Sequence, residues 1–284
     1  MADAPGSAPV PREPAMPKPK LVTSREYKVM LRPELFNGDE TAFAAAVGRF
    51  WADLGARLAR IDIPVEGDFG EVKAIRLIRF FDTDDQGLHG ESYIVRERLD
   101  TESEERQVTL KFRHPDRYVA GDRVMEAASE TAKTKFEEDV KPPFVSVFSF
   151  STTADLDAAA ELGTLGDVAD IFPGLKDAVD ELPWEAPLQL VSGFTAKEVV
   201  LAGANILLGK RDIPAECAMV LWYDEGKQDI TPVVAEFSFK YGDDQEDYRG
   251  SVARDAYDVL TALQNDLTDW VDPNPRTKTS FVYE

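Results

Sequence analysis

In VTSREYKVML (22–31), Tyr27, Val29 and Leu31 fall on one side of the chain and Glu26, Lys28 and Met30 on the other. That two-residue period predicts a β-strand. The period then lengthens. In NGDETAFAAAVGRFWADLGARLARID (37–62), Phe43, Val47, Phe50, Leu54 and Leu58 recur three or four residues apart, which predicts an amphipathic helix. From residue 72 alternation returns in VKAIRLIRFFDT, SYIVRERL, RQVTLKFRH, TAKTKFEEDV and FVSVFSFS, separated by polar or Gly/Pro-containing breaks. Residues 153–186, rich in Ala, Leu and Asp, read as helical. Three further strands follow, in LVSGFTAKEVVLAGANILL, ECAMVLWYDE and TPVVAEFSFKYG. A helix is expected over 254–270, and TKTSFVYE (277–284) forms a short ending.

Short links between the strands of 72–150 favour antiparallel pairing. Eight or nine strands suffice to close a barrel with a usable interior. The expected class is α+β. Residues 21–284 read as one domain with a helical insertion at about 153–186, preceded by a proline- and alanine-rich tail over 1–20 that is expected to be disordered.

The polar sides of these strands are charged. Glu26 and Lys28, Arg96 and Arg98, and Lys111 and Arg113 each share a face, as do Lys133, Lys135, Glu137 and Asp139. Glu236, Ser238 and Lys240 form a fifth stripe opposite Ala235, Phe237 and Phe239. A solvated sheet face accounts for such stripes in an ordinary antiparallel sheet. Composition weakens that account. With 53 acidic and 32 basic residues the formal charge is −21, yet cations dominate the stripes of the central segments. In a closed barrel with a polar interior these groups would face each other. Such crowding is tolerable when the charges, or a ligand, neutralise one another.

Other composition limits are firm. The surface charge disfavours nucleic acid and anionic membranes as partners. No apolar run nears the length of a membrane span, and the N-terminal residues lack the apolar core of a signal peptide, so a cytoplasmic location is expected. One cysteine, Cys217, excludes an internal disulfide and a cysteine-based zinc cluster, and two histidines, His89 and His114, argue against a histidine-rich metal site. Any metal would be a hard cation held by carboxylates. GANILLGK (203–210) has its glycines one residue too far apart for a phosphate loop, and Arg211 stands where Ser or Thr is needed.

The ordered series Phe81–Asp82–Thr83, Leu88, Gly90, Tyr93, Arg96–Glu97–Arg98, Thr109–Leu110–Lys111 and Lys135–Phe136–Glu137–Glu138–Asp139 resembles the CYTH superfamily, the triphosphate tunnel metalloenzymes. Tyr223–Asp224, Ala235–Glu236–Phe237–Ser238 and Thr277–Lys278–Thr279–Ser280–Phe281 are similar to its closing strands and ending. The likeness spans roughly residues 24–282. It implies an eight-stranded antiparallel β-barrel, a tunnel with flanking and inserted helices, in which arginines and lysines grip a triphosphate and glutamates hold Mg²⁺ or Mn²⁺. Carried over residue by residue, it implies Arg96, Arg98, Lys111, Arg113, Lys133 and Lys135 as phosphate ligands. It also implies Lys28 as a catalytic, phosphate-polarising group and Glu26, Glu137, Asp139 and Glu236 as metal ligands. Two carboxylates of the family pattern are absent: Ser24 opens the first motif and Ser238 closes the last.

The leading expectation is metal-dependent hydrolysis of inorganic triphosphate or of the terminal phosphate of an organic triphosphate. A tunnel that binds polyphosphate, nucleotide or another anion without catalysis is the alternative. An interaction protein with no anion site is the third reading.

Overall fold

The computed structural model describes residues 19–38, 40–179, 182–227 and 230–284. Most of the expected N-terminal tail lies outside these residues. The strands are β1 (Ser24–Leu31), β2 (Val65–Glu66), β3 (Glu71–Asp82), β4 (Tyr93–Asp100), β5 (Arg106–His114), β6 (Lys133–Lys141), β7 (Val145–Leu156), β8 (Gln189–Leu208), β9 (Ile213–Asp224) and β10 (Val234–Gly242). The helices are α1 (Glu40–Leu58), α2 (Gly87–Gly90), α3 (Arg117–Gly121), α4 (Leu165–Ile171), α5 (Gly174–Ala178), α6 (Gly250–Asp266) and α7 (Lys278–Tyr283).

Among the described residues nine strands close a ring in the order β8-β3-β4-β5-β7-β6-β1-β10-β9, with β9 pairing back to β8 and β2 lying outside on β8. The expected α+β barrel with flanking helices is therefore present, with nine wall strands and one parallel junction. Alternating directions close a ring only for an even strand number, so nine strands require a parallel pair. It falls between β1 and β6, where Ser24 faces Glu137 and Glu26 faces Asp139. β8 is long enough to pair with β2, β3 and β9. It carries a bulge between Ala202 and Asn205. Gly67, at φ 68°, passes the bulge so closely that a Cβ would lie 2.2 Å from the Gly203 carbonyl oxygen. A side chain is excluded there.

Two apolar layers coat the outside. On one flank Tyr27, Val29 and Leu31 of β1 and Phe237 and Phe239 of β10 are buried under α1 and α6. The predicted helical stripe Phe43, Val47, Phe50, Leu54 and Leu58 is the buried face of α1. On the other flank Val95, Val108, Leu110, Phe112, Phe136 and Phe150 pack beneath Leu165, Val168, Phe172 and Leu175 of the segment after β7. Three local readings change. Within the segment expected to be helical, residues 157–163 are turns and irregular chain, and helix among the described residues is confined to α4 and α5. Residues 153–156, expected to be helical, complete β7, because Ala154 adds to the second apolar layer and Thr153 pairs with Thr109. The TKTSFVYE ending folds as α7, capped by Thr277 Oγ1, which accepts from Ser280 N at 3.2 Å. Among the described residues no helix is long and apolar enough to cross a membrane.

Candidate functional site: a cationic tunnel

With both apolar layers outside, alternation turns the charged stripes inward. One end of the interior is apolar, where Ile78, Phe80, Ile94, Val220 and Trp222 pack on Val282 and Tyr283 of α7. Tyr283 also stacks on His89 at 4.2 Å, and Ser192 Oγ donates to the Val282 carbonyl at 2.8 Å. The C-terminal helix thus closes that end and delivers Lys278 and Thr279 to the polar part.

Two cavities adjoin there. The larger, of about 200 Å³, is lined in part by Lys28, Arg113, Asp139, Lys141, Glu236 and Lys278. The smaller, of about 40 Å³, is lined by Arg96, Thr109, Lys111, Arg113 and Lys278, with Phe80, Ile94 and Trp222 on its apolar side. Arg113, Lys278 and Thr279 border both, and Arg113 Nη1 donates to Thr279 Oγ1 at 2.8 Å.

The polar interior divides electrostatically. In the paired zone Lys28 Nζ lies 3.0 Å from Glu26 Oε2 and 2.7 Å from Asp139 Oδ1. Lys278 Nζ lies 2.6 Å from Glu236 Oε1. Burial opposes the Lys28 charge, but Asp139, Glu26 and Glu236 outweigh it and hold its pKa above the ordinary lysine value. Burial likewise opposes the Asp139 charge, while Lys28, Lys111 and Arg113 keep its carboxyl far below the usual range. Glu198, buried on β8, is also held down against burial by Lys278, by Arg98 and by a 2.9 Å hydrogen bond from Trp222 Nε1.

The other zone is cationic and open. Among the described residues no carboxylate lies within ion-pairing distance of Arg96, Arg98 or Lys111, and the buried Nε atoms of Arg96 and Arg98 have no hydrogen-bond partner. Burial, and next the Arg98 charge, lowers the Arg96 pKa well below its ordinary value; burial lowers that of Arg98. Burial, reinforced by Arg113, pushes Lys111 down to about 7. Like charges crowded in a desolvated wall are unfavourable until an anion joins them.

The expected site residues therefore separate. Lys28, Arg113, Asp139 and Glu236 meet at the larger cavity, Arg96, Lys111 and Arg113 at the smaller one. Arg98 lines neither and sits by Glu198 and Arg76. Lys133 and Lys135 share the inward face of β6 but are exposed toward its start and line neither cavity. Glu137 turns to Ser24, whose Oγ donates to Oε1 at 2.9 Å. Lys278, Lys141, Glu198 and Arg76 were not singled out from the sequence. Glu198, a lone carboxylate inside the apolar run of β8, was the available signal for one of them, and the Thr277–Phe281 ending carried another.

The four carboxylates were expected to hold Mg²⁺ or Mn²⁺. A hard cation needs several oxygens around one centre. Among the described residues no three ligating side chains form such a group. The carboxylates point instead at lysines and a serine. As arranged, the donor set does not fit a divalent ion.

No protein-family model matches the chain, and no curated protein shows significant sequence similarity to it. Among solved structures it is similar to a Hippeastrum protein described as an adenylyl cyclase with a dominant triphosphatase activity. The identity is 12% over 92% of this chain and 95% of that one, with a TM-score of 0.44. It is also similar to a protein of Bacillus halodurans described as an adenylate cyclase candidate, at 14% identity, 92% and 97% coverage and a TM-score of 0.42. A third, from Vibrio parahaemolyticus and similarly described, matches at 9% identity over 93% and 100% of the two chains, with a TM-score of 0.36.

Proposed function

We propose that the tunnel binds a triphosphate-class anion, either inorganic triphosphate or the phosphate chain of an organic triphosphate. The observation that carries this reading is the cluster of Arg96, Arg98 and Lys111, which among the described residues has no carboxylate at ion-pairing distance, inside the wall of a strongly acidic protein. An unpaired buried cation destabilises the fold by several kcal/mol unless something compensates it. A polyanion supplies that compensation through charge-assisted, often bidentate hydrogen bonds, each contributing about 1.5–3 kcal/mol. Arg113 and Lys278, which border both cavities, would hold the phosphates that pass between them.

Hydrolysis of the terminal phosphate is the second reading. It is favoured by Asp139 Oδ2, a buried carboxylate oxygen without a hydrogen-bond partner among the described residues, on a residue that lines the larger cavity. With its pKa held so low, Asp139 is suited to orienting a water rather than to deprotonating it.

The test uses the full chain with inorganic triphosphate and with ATP, by calorimetry and by phosphate release. Binding should weaken on the order of 100-fold or more in Arg96→Ala/Lys111→Ala, as expected for two lost charge-assisted contacts. Equal affinity in the variant, or no binding by the wild type, overturns the reading. Phosphate release that disappears in the variant establishes hydrolysis; binding without release restricts the tunnel to capture.

A further inference from the structure

We propose that Lys28 and Lys278 stand in for a divalent cation, so that the tunnel takes up its phosphate ligand without metal. This rests on the anion-binding reading above. Three carboxylates of the tunnel, Glu26, Asp139 and Glu236, carry ammonium groups where a metal would have to sit. Lys28 Nζ bridges Glu26 and Asp139, at 3.0 and 2.7 Å, and Lys278 Nζ caps Glu236 at 2.6 Å.

Mg²⁺ demands oxygens at about 2.0–2.1 Å in near-octahedral order. An ion that close to Asp139 Oδ1 or Glu236 Oε1 would collide with the ammonium on the same oxygen and be repelled by its charge. Metal entry therefore requires expulsion of a lysine from a buried pair. The two serines point the same way. Ser238 faces Lys28 directly across the β1–β10 pair, and Ser24 donates to Glu137, so neither adds a charge that a divalent ion would balance.

Each lysine is fixed by the fold rather than by its ion pair alone. Lys28 lies in the middle of β1, between the buried Tyr27 and Val29. Lys278 starts α7, whose Val282 and Tyr283 are buried in the apolar end of the tunnel. An ammonium has three donors. Lys278 spends one on Glu236 and borders both cavities, so its remaining N–H groups are available to phosphate oxygens. A divalent ion contributes positive charge between carboxylate and phosphate, and these lysines supply the same charge in that place.

Two measurements decide the matter. The first is calorimetry of inorganic triphosphate with the full chain in EDTA and in Mg²⁺ or Mn²⁺, corrected for metal bound to free triphosphate. Affinities should agree within about threefold, and a loss of more than about tenfold in EDTA overturns the proposal. The second needs no phosphate: Mn²⁺ is titrated into the protein and the free ion followed by electron paramagnetic resonance. Lys278→Met, which keeps the apolar docking of α7, should gain Mn²⁺ affinity by about tenfold or more over the wild type, because Glu236 loses its counter-ion. Lys28→Met is the second variant and should behave alike. Wild-type Mn²⁺ binding as tight as that of both variants overturns the proposal. Failure of triphosphate to bind under any condition overturns the anion reading, and this proposal with it, whereas metal-dependent binding overturns the lysine substitution alone.

Discussion

Lys111 is the residue whose chemistry depends most on what surrounds it. The residue sits on β5 at the smaller cavity, and burial and Arg113 bring its pKa down from 10.5 to about 7. The folded chain therefore binds fewer protons than the unfolded chain between about pH 7 and pH 10, and this group's contribution to stability rises with pH across that window. Relative to Lys111→Met, the wild type should gain up to about 1 kcal/mol per pH unit from pH 7 to pH 10, measured by denaturant unfolding. A flat difference would show that the ammonium is solvated. An anion in the cavity favours the protonated lysine, so triphosphate binding at pH 8 should take up protons. Calorimetry in two buffers of different ionisation enthalpy reads that uptake directly. Near neutral pH, Lys111→Met should also be more stable than the wild type by roughly 3 kcal/mol, about what the wild type regains by pH 10, while binding triphosphate far more weakly, since strained charge at a site is held at the expense of stability.

The elements that hold the site do so from outside it. Leu54 on α1 is fully buried against the apolar face of β1 and β10. Leu54→Ala should cost about 3 kcal/mol in denaturant unfolding, as core leucine truncations do, while leaving the Kd for triphosphate within about threefold. α7 behaves differently, because it is a short helix at the end of the chain that packs into the mouth of the barrel instead of coating its wall. Tyr283→Ala removes the stack on His89 and the edge contact with Phe80 at 6.2 Å. Faster amide exchange should appear over 278–283 with the barrel strands unchanged, since a terminal helix opens locally rather than globally. Triphosphate affinity should fall as well, because Lys278 and Thr279 leave with the helix. Exchange that rises equally throughout the barrel would make α7 part of the folding core instead of a closure.

Over the whole molecule, the tunnel is a cationic interior in a chain of formal charge −21. The exterior repels an incoming polyanion, while the interior attracts it at short range. Salt screens the distant repulsion first. The association rate of triphosphate should therefore rise as NaCl increases from about 20 to 150 mM, while the complex itself weakens, a pattern visible in stopped-flow binding. An association rate that falls monotonically with salt would show that the tunnel field already dominates outside the protein.

Much of this architecture was legible in the chain. Two-residue alternation in β1, β4, β5, β6 and β10 and the helical stripe of α1 are local periodicities, and local periodicity survives folding because burying an apolar face drives both. Pairs such as Arg96 with Arg98 were bound to share a face for the same reason. Which face turned inward, and what met there, was not local. The parallel junction of β1 with β6 follows from an odd number of strands closing a ring, which no single segment contains. The strand at 153–156 takes its conformation from β5 beside it, against its own composition. Lys278 reaches Glu236 across more than forty residues of sequence because the ending packs into the barrel. The sequence by itself thus determined the strands, the outer helix and the charged stripes. Tertiary structure alone decided that Glu26, Asp139 and Glu236 would be matched by lysines while, among the described residues, no carboxylate comes within ion-pairing distance of Arg96, Arg98 or Lys111, because Coulomb pairing depends on distances that only closure of the barrel sets.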